Sequence, residues 1–336
     1  PSCILRFLSM VPCLHLAARV LGFDDYNERE WLVTDRRGGF AMGTARGVRV
    51  RKYHGLYSSI AGRAETSYLA DWEVFVIEEQ GEEGGAGAHR LWPHLYGAPL
   101  GADSPVTDGA LAPIGFSTSP DPRWEWKLST GKLSFGISSQ SGGGMRLEWS
   151  WAPAKSRTPI RIVIRPFFAF RDLHALGGEA WSLAWSAPEN AVRSATLRSA
   201  SGREAFLGLE GDWGWIEGPL WYHAFQYPEE RSRGYAWEED LFSAGELAVE
   251  LGRGASSAAW IVGNEEEGLA TSVRPSRAKK KRNRALDFVL ERPPGVVAGF
   301  PWFGEWGRDT FVSLPGLVMS RLRHETSPAE ADEVWS

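Results

Sequence analysis

The chain has 336 residues, with 37 Lys and Arg against 42 Asp and Glu, and its net charge is −5. Hydrophobic residues make up 43% and charged residues 24%, close to the globular average, which excludes a disordered protein. No run approaches the ~18 consecutive apolar residues of a membrane-spanning helix, and the slightly acidic total excludes an electrostatic footprint for nucleic acid.

The cysteine and aromatic content indicates which kinds of protein and of binding site the chain can form. Cys3 and Cys13 both precede the body of the chain, which therefore has neither a disulfide framework nor a clustered cysteine metal site. A reducing compartment, the cytoplasm, is expected. The 17 Trp, 16 Phe and 8 Tyr are unusually many. Large aromatic side chains either fill a core or form platforms for apolar ligand faces such as those of sugars, and core filling is the default for any single Trp.

Residues 1–21 differ from the rest of the chain. An apolar stretch at 7–20 follows Arg6 and imitates a secretory signal, but Pro12, His15 and Arg19 interrupt it and no small-residue cleavage site follows. We therefore expect an N-terminal segment rather than a signal peptide, and we place it outside the first domain.

Residues 30–260 contain many short alternating segments separated by Gly, Pro and Ser, a pattern typical of an antiparallel β-sandwich. Residues 72–77 are largely apolar on both faces and predict a central strand, and Pro166 is expected to end the strand that contains it. The Gly-rich segments 81–87 and 139–144 predict turns between strands. Three alternating segments predict strands with one buried face, formed by Leu133, Phe135 and Ile137, by Met145, Leu147, Trp149 and Trp151, and by Ile160, Ile162 and Ile164.

The pattern changes after Gly263. Acidic residues at 265–267 and a basic run at 277–282 predict a linker, and the basic run is interpreted as a solvated helix face rather than a nucleic-acid patch. Leu286, Val289 and Leu290 recur at helical spacing. The sequence therefore predicts an α-helical domain after the linker.

Two further helices are predicted near the end of the sequence. The first follows Asp309, with Pro315 in its first turns, where proline is best tolerated. The second begins at Pro328, inside a capping box at 327–330. One apolar face of the first helix is formed by Phe311, Leu314, Val318 and Leu322.

These elements predict a mainly β fold, a large antiparallel β-sandwich followed by helices. The expected divisions are an N-terminal segment at 1–21, the sandwich at 22–263, the linker at 264–285 and the start of a helical domain at 286–336. A sequence that lacks an initial Met and stops two turns into a new helix is expected to be part of a longer protein.

Residues 300–311 hold the densest group of chemically useful side chains. Trp302 and Trp306 offer flat apolar walls for a sugar ring, and Arg308 and Asp309 offer the donors and acceptors that grip neighbouring hydroxyls. The alternative interpretation is a buried Arg–Asp pair that stabilises a helix start, where negative charge is favoured. The residue types alone support the sugar-binding interpretation and the ion-pair interpretation equally.

Several long motifs follow one another along the chain. They are AGFPWFGEWGRDTFVSLPGL at 298–317, the residues at 30–32, 38–40, 43–44 and 51–56, those at 165–166 and 171–174, those at 222–227, 230 and 233–234, and those at 239–241 and 245. In these motifs and their order, over about residues 30–317, the chain resembles the glycogen debranching enzymes, the amylo-α-1,6-glucosidase family. So many long motifs seldom coincide.

The resemblance implies a fold and an activity. The family places a large N-terminal β-sandwich ahead of an (α/α)6 barrel, of which only the first helices are expected here. The implied substrate and partner is the single α-1,6-linked glucose stub of a glycogen limit dextrin, released by hydrolysis. No cofactor, metal, nucleic acid or membrane is implied. Related barrels are inverting, with a carboxylic acid and a carboxylate ~6.5–9.5 Å apart.

The resemblance also suggests where the catalytic groups lie. General acid and base come from later barrel loops, so both are expected beyond Ser336. Asp309 is a rival candidate for the general acid, and Glu305 is a weaker one that is expected to be solvated. Residues expected to bind the terminal glucose in the −1 subsite are Trp302, Trp306, Arg308 and Asp309.

The N-terminal motifs carry weaker assignments. His54 and His174 are interpreted as hydrogen-bonded side chains at strand ends, because no third ligand stands at metal spacing. Arg171 and Asp172 are expected to form a turn or an interdomain ion pair. Some of Arg51, Tyr53 and His54 are candidates to face the barrel across the domain interface.

Two alternatives stay open at this point. The chain is either part of a debranching glucosidase or a glucan-binding or purely structural sandwich without turnover of its own. The enzyme is also open to another identity within the glucoamylase clan, such as a trehalase or an α-1,4-glucosidase.

Overall fold

The structure is a computed structural model that describes residues 29–60, 65–78, 87–96, 110–140, 142–154, 158–177, 183–186, 194–252, 256–264, 284–291 and 294–324. The predicted N-terminal segment at 1–21, the charged segments at 265–267 and 277–282, most of the turn at 81–87 and the helix start at Pro328 lie outside these residues.

Two large antiparallel sheets make up most of the described chain. The first sheet has the order β1-β2-β3-β4-β10-β15-β14, with β5 also paired to β4. Its strands are β1 (Glu30–Thr34), β2 (Gly39–Thr44), β3 (Gly55–Ser59), β4 (Thr66–Glu78), β5 (Gly87–Arg90), β10 (Ile160–Asp172), β14 (Gly214–Gln226) and β15 (Glu238–Leu251).

The second sheet has the order β11-β12-β13-β16-β9-β8-β7-β6. Its strands are β6 (Gly115–Ser117), β7 (Arg123–Lys127), β8 (Gly131–Ser139), β9 (Met145–Pro153), β11 (Leu183–Ser186), β12 (Ser194–Ser199), β13 (Glu204–Glu210) and β16 (Ser257–Gly263). Every strand pair in both sheets is antiparallel.

The sheets pack face to face around a core of tryptophan and aliphatic side chains. Trp72 of the first sheet contacts Phe135, Trp149 and Trp260 of the second, with ring centroids 5.1–5.8 Å apart. The predicted β-sandwich is therefore confirmed. The three predicted alternating strands are also confirmed as β8, β9 and β10, because their apolar residues are all buried in this core.

The central strand and one of the predicted turns are confirmed as well. Residues 72–77 belong to β4, which lies between β3 and β10 and pairs with both. The segment 139–144 joins β8 to β9, and Gly143 and Gly144 take positive φ angles of 98° and 90° there. A Cβ at Gly144 would stand 2.4 Å from the Val262 carbonyl oxygen, so the turn depends on glycine.

The prediction that Pro166 ends its strand is wrong. β10 continues to Asp172, and Pro166 pairs with Trp72 of β4 without interruption. On the other side, the pairing with β15 shifts register between Ile164 and Phe168. Proline has no N–H to donate, and the irregularity on the β15 side accommodates the missing hydrogen bond.

The predicted helix over 286–290 is also wrong. Residues Arg284–Phe288 form a 3-10 helix, and a small antiparallel sheet follows, made of β17 (Val289–Glu291), β18 (Pro294–Gly299) and β19 (Phe303–Glu305). Leu290 and Val297 pack against Phe40 and Met42 of the first sheet. The spacing of a short apolar run is compatible with both a strand and a helix. Here the run forms a strand because its apolar residues pack against the sandwich.

Two helices are present among the described residues, α1 (Pro228–Ser232) between β14 and β15, and α2 (Gly307–His324) after β19. Pro315 lies in the interior of α2 rather than in its first turns, because the helix begins earlier than predicted. Val318 is buried, but Phe311 is 76% exposed, so the predicted apolar face is only partly covered. Neither helix is long and apolar enough to cross a membrane.

Candidate functional site

The candidate site lies where four segments meet at one end of the first sheet. Three belong to the sandwich: the turn before β3, the residue before β4 and the turn after β10. Pairing of Thr66 with Asp172 brings the last two together, and the Leu173 N–H donates to the Glu65 carbonyl at 3.0 Å. The fourth is the segment 300–309, which Phe300 anchors by packing on Phe40 with ring centroids 5.2 Å apart.

Aromatic rings of the C-terminal segment remain largely open to solvent. Trp302 is 39%, Phe303 54% and Trp306 51% exposed. Phe303 and Trp306 meet edge to face at 6.3 Å, and Trp302 meets Tyr53 of the sandwich at 6.2 Å. Exposed rings held by their neighbours offer flat surfaces on which the apolar face of a sugar can stack.

The structure brings Trp306, Arg308 and Asp309 together at the start of α2. The Arg308 guanidinium carbon lies 5.9 Å from the Trp306 ring centroid, and Arg308 Nη2 lies 3.6 Å from Asp309 Oδ2. That oxygen is buried and accepts no hydrogen bond. The Arg308 side chain is 78% exposed. The alternative of a buried ion pair therefore does not fit Arg308, whose guanidinium is open to solvent, and the Asp309 side chain beside it is partly exposed although its Oδ2 is covered.

Trp302 lies on the Tyr53 side of this segment, and Glu305 is exposed on β19. A Cβ at Gly295 would stand 2.3 Å from Glu305 Oε1, which places that carboxylate over β18. A cavity of about 40 Å³ lies elsewhere, inside the sandwich core and lined by side chains that include Trp31 and Trp92. The exposed segment and the core cavity are separate features.

Tyr53 links the sandwich to the C-terminal segment through His174. The Tyr53 hydroxyl lies 3.2 Å from His174 Nδ1, and His174 Nε2 lies 2.8 Å from Glu65 Oε2. Burial, followed by the field of Glu230, raises the pKa of Tyr53, so its hydroxyl keeps its proton. The Lys52 ammonium donates to the His174 carbonyl and stands 5.3 Å from the centre of the Tyr53 ring.

His54 has a structural role, as predicted. It is fully buried, its Nδ1 accepts the Val50 N–H at 3.2 Å, and its Nε2 lies 3.0 Å from Glu30 Oε1. Burial lowers the pKa of His54, which keeps the ring neutral. Burial alone would raise the pKa of Glu30, but hydrogen bonds from His54 and Arg51 outweigh it and lower that pKa to about 2.

Arg171 forms a buried ion pair within the sandwich rather than one between domains. Its Nε lies 2.5 Å and its Nη2 3.0 Å from the carboxylate of Glu239. Burial alone would raise the pKa of Glu239, but Arg171 outweighs it and lowers that pKa. Asp172 does form the predicted turn, because its Oδ1 accepts the His174 N–H at 2.8 Å. The predicted turn is therefore confirmed at Asp172. The predicted interdomain ion pair is wrong for Arg171, because its partner Glu239 lies in the same sandwich.

Two participants were missing from the sequence-based site, Glu65 and Lys52. Glu65 precedes β4 and has no motif of its own; only the pairing of β4 with β10 brings it to His174. Lys52 lies inside the motif at 51–56, but the sequence pattern indicated no function for it. Within the described residues, no group of three His, Cys, Asp or Glu side chains could hold a metal ion.

Two known families match different parts of the chain. A family described as glycogen debranching enzyme N terminal matches residues 29–258, which run from the start of β1 into β16. A second family, amylo-alpha-1,6-glucosidase, matches residues 274–330, which include the C-terminal sheet and α2. No curated protein matches the chain. The first match covers more than half of the sequence, so the chain belongs to the glycogen debranching enzyme family.

Proposed function

We infer that the chain serves the hydrolysis of α-1,6-linked glucose stubs on limit dextrin by an inverting glycoside hydrolase. Its part is to bind the terminal glucose at the segment 302–309. The observation that supports this is the grouping of the exposed Trp306 and Arg308 with the partly exposed Asp309, inside the region that matches the amylo-alpha-1,6-glucosidase family.

Each of the three side chains has a chemical role in this proposal. The Trp306 ring stacks on the apolar face of the pyranose, and the Arg308 guanidinium donates to neighbouring hydroxyls. The Asp309 carboxylate, whose side chain is partly exposed, accepts a hydrogen bond from a sugar hydroxyl. A site built on such bonds rejects sugars that lack the matching hydroxyl, because its polar groups would then stay unpaired.

The proposed division of labour follows the proposed domains. The sandwich at 22–263 supports the site, residues 264–285 link, and residues 286–336 begin the glucosidase domain. The general acid and base, ~6.5–9.5 Å apart in an inverting enzyme, are expected beyond Ser336. The substrate is a cytoplasmic glucan, in keeping with two cysteines outside the body of the chain.

A substrate comparison on the full-length protein tests the reaction. We expect glucose release from a limit dextrin that carries single α-1,6-linked glucose stubs, at a kcat/KM at least about 100-fold above that for linear α-1,4-linked maltooligosaccharides or trehalose. A preference for maltooligosaccharides or for trehalose would assign the protein to another glucosidase. Binding to glycogen without glucose release from any of the three would leave only a binding role.

A further inference from the structure

A cluster of polar side chains stands beside Trp302 on the sandwich, outside the segment that holds the terminal glucose. It consists of Lys52, Tyr53, Glu65 and His174, and we call it the sandwich cluster. Tyr53 lies at its centre, with its ring 6.2 Å from Trp302 and 5.7 Å from the His174 ring, edge to face in both cases. Trp302 therefore belongs to the glucose-binding segment and also contacts the sandwich cluster through Tyr53.

The sandwich cluster is rigid although part of it is open to solvent. His174 is fixed at both ring nitrogens, by the Tyr53 hydroxyl at 3.2 Å and the Glu65 carboxylate at 2.8 Å. A Cβ at Gly304 would stand 3.1 Å from Glu65 Oε1, which places that carboxylate against β19. The His174 side chain is nevertheless 43% exposed.

The backbone under the cluster is fixed by a buried cation. Arg171, paired with Glu239, donates from Nη1 to the carbonyls of Asp172 and Leu173 at 3.2 and 3.3 Å, and from Nη2 to the Lys52 carbonyl at 2.8 Å. One guanidinium therefore hydrogen-bonds to both turns that carry the sandwich cluster. Groups held this firmly at an exposed edge are the arrangement expected of a preorganised binding site.

The chemistry of the cluster suits a neutral polyhydroxyl ligand. The Glu65 carboxylate and the Lys52 ammonium supply acceptors and donors for hydroxyls, and the carboxylate of Glu65 opposes a phosphate or another anion. We propose that the sandwich cluster binds the glucose unit of the α-glucan next to the terminal glucose, with the Glu65 carboxylate and the Lys52 ammonium contacting its hydroxyls and with His174 and Tyr53 acting as positioning residues. This inference rests on the proposed function.

Two substrates that differ in the presence of that second unit test the inference. One is an oligosaccharide with a single α-1,6-linked glucose stub; the other is α-D-glucopyranosyl fluoride, which offers one glucose and no neighbour. In the full-length protein we expect His174→Ala to reduce kcat/KM for the oligosaccharide at least about tenfold more than for the fluoride. Tyr53→Phe, which keeps the ring on Trp302 and removes the hydroxyl, shifts the ratio in the same direction and by less.

The control is His223→Ala, an exposed histidine on β14 beside Asp240, which should leave the ratio of the two substrates at its wild-type value. Equal losses on both substrates for His174→Ala, or no loss on the oligosaccharide, would overturn the inference. If the wild-type protein releases glucose from neither substrate, the proposed function fails instead, so the two failures are distinguishable.

Discussion

Aromatic side chains occupy two regions of this molecule under opposite conditions. Between the sheets, Trp72, Trp149 and Trp260 pack ring against ring and are excluded from solvent. On the C-terminal segment, Trp302 and Trp306 expose a large part of their rings. The same residue type therefore stabilises the fold in one region and is available to a ligand in the other.

Ion pairs follow the same division. Arg171 and Glu239 are buried and bonded at two points, whereas the Arg308 guanidinium is exposed and lies 3.6 Å from Asp309. A buried pair fixes the chain, whereas an exposed guanidinium beside a partly exposed carboxylate keeps hydrogen-bonding capacity for a partner. Substitutions in the two regions should accordingly separate stability from activity.

The largest expected effect on stability comes from the core tryptophan that touches both sheets. Trp72→Ala leaves a cavity among four aromatic neighbours and should lower the free energy of unfolding by about 3–5 kcal/mol. Trp306→Ala is the matched control and should change it by less than about 0.5 kcal/mol. Denaturant titrations of both variants measure this; equal losses would erase the distinction between the two regions.

The buried ion pair comes next. Arg171→Met removes the bidentate partner of the buried Glu239 carboxylate and leaves Arg49, whose Nη2 lies 3.8 Å from Glu239 Oε1. This change should cost about 3 kcal/mol of unfolding free energy. Arg308→Met, the same change in the exposed pair, should cost less than about 1 kcal/mol. Thermal and denaturant unfolding report both values, and an Arg171→Met protein as stable as wild type would show that the buried pair contributes nothing.

The smallest effect is a pH dependence at β1. The pKa of Glu30 is about 2 in the folded chain against 4.5 normally, so the folded state binds its proton more weakly than the unfolded state. The stabilisation is complete above pH ~4.5 and is lost as the pH falls towards 2. Glu30→Gln should lower unfolding free energy by about 1–2 kcal/mol at pH 7, with partial exposure limiting the effect, and the difference should shrink near pH 2.

The control for this pH series is Glu125→Gln, which removes an exposed pair with Lys132. It should change the unfolding free energy by less than about 0.5 kcal/mol at either pH. A Glu30→Gln difference that stays constant from pH 7 to pH 2 would contradict the assigned role of the Glu30 carboxylate.

Alternation predicted the sandwich well because each strand has one face in a single core. The period-2 pattern of β8 and β9 is set by burial against the opposite sheet, so local spacing carries the information. The same spacing argument wrongly predicted a helix at 286–290, because Leu290 is buried against β2, which is far away in the sequence. Pro166 misled it because the irregular pairing that accommodates it depends on β15.

The candidate site was predictable only where its residues are adjacent in sequence. Trp306, Arg308 and Asp309 stand within one short motif, and the start of a helix is enough to group them. Glu65 and His174 come together only through the pairing of β4 with β10. Contacts between segments distant in sequence leave no local signal, and the sandwich cluster is built from such contacts.

Asp309 gives the most direct test of the proposed glucose site. The measurement is kcat/KM for glucose release from limit dextrin by the full-length protein and by its Asp309→Asn variant, with melting temperature as the check on folding. Loss of a partly buried acceptor should lower kcat/KM at least ~100-fold, equivalent to ~3 kcal/mol, at an unchanged melting temperature. Activity close to that of wild type would contradict the assignment of the terminal glucose to the segment 302–309.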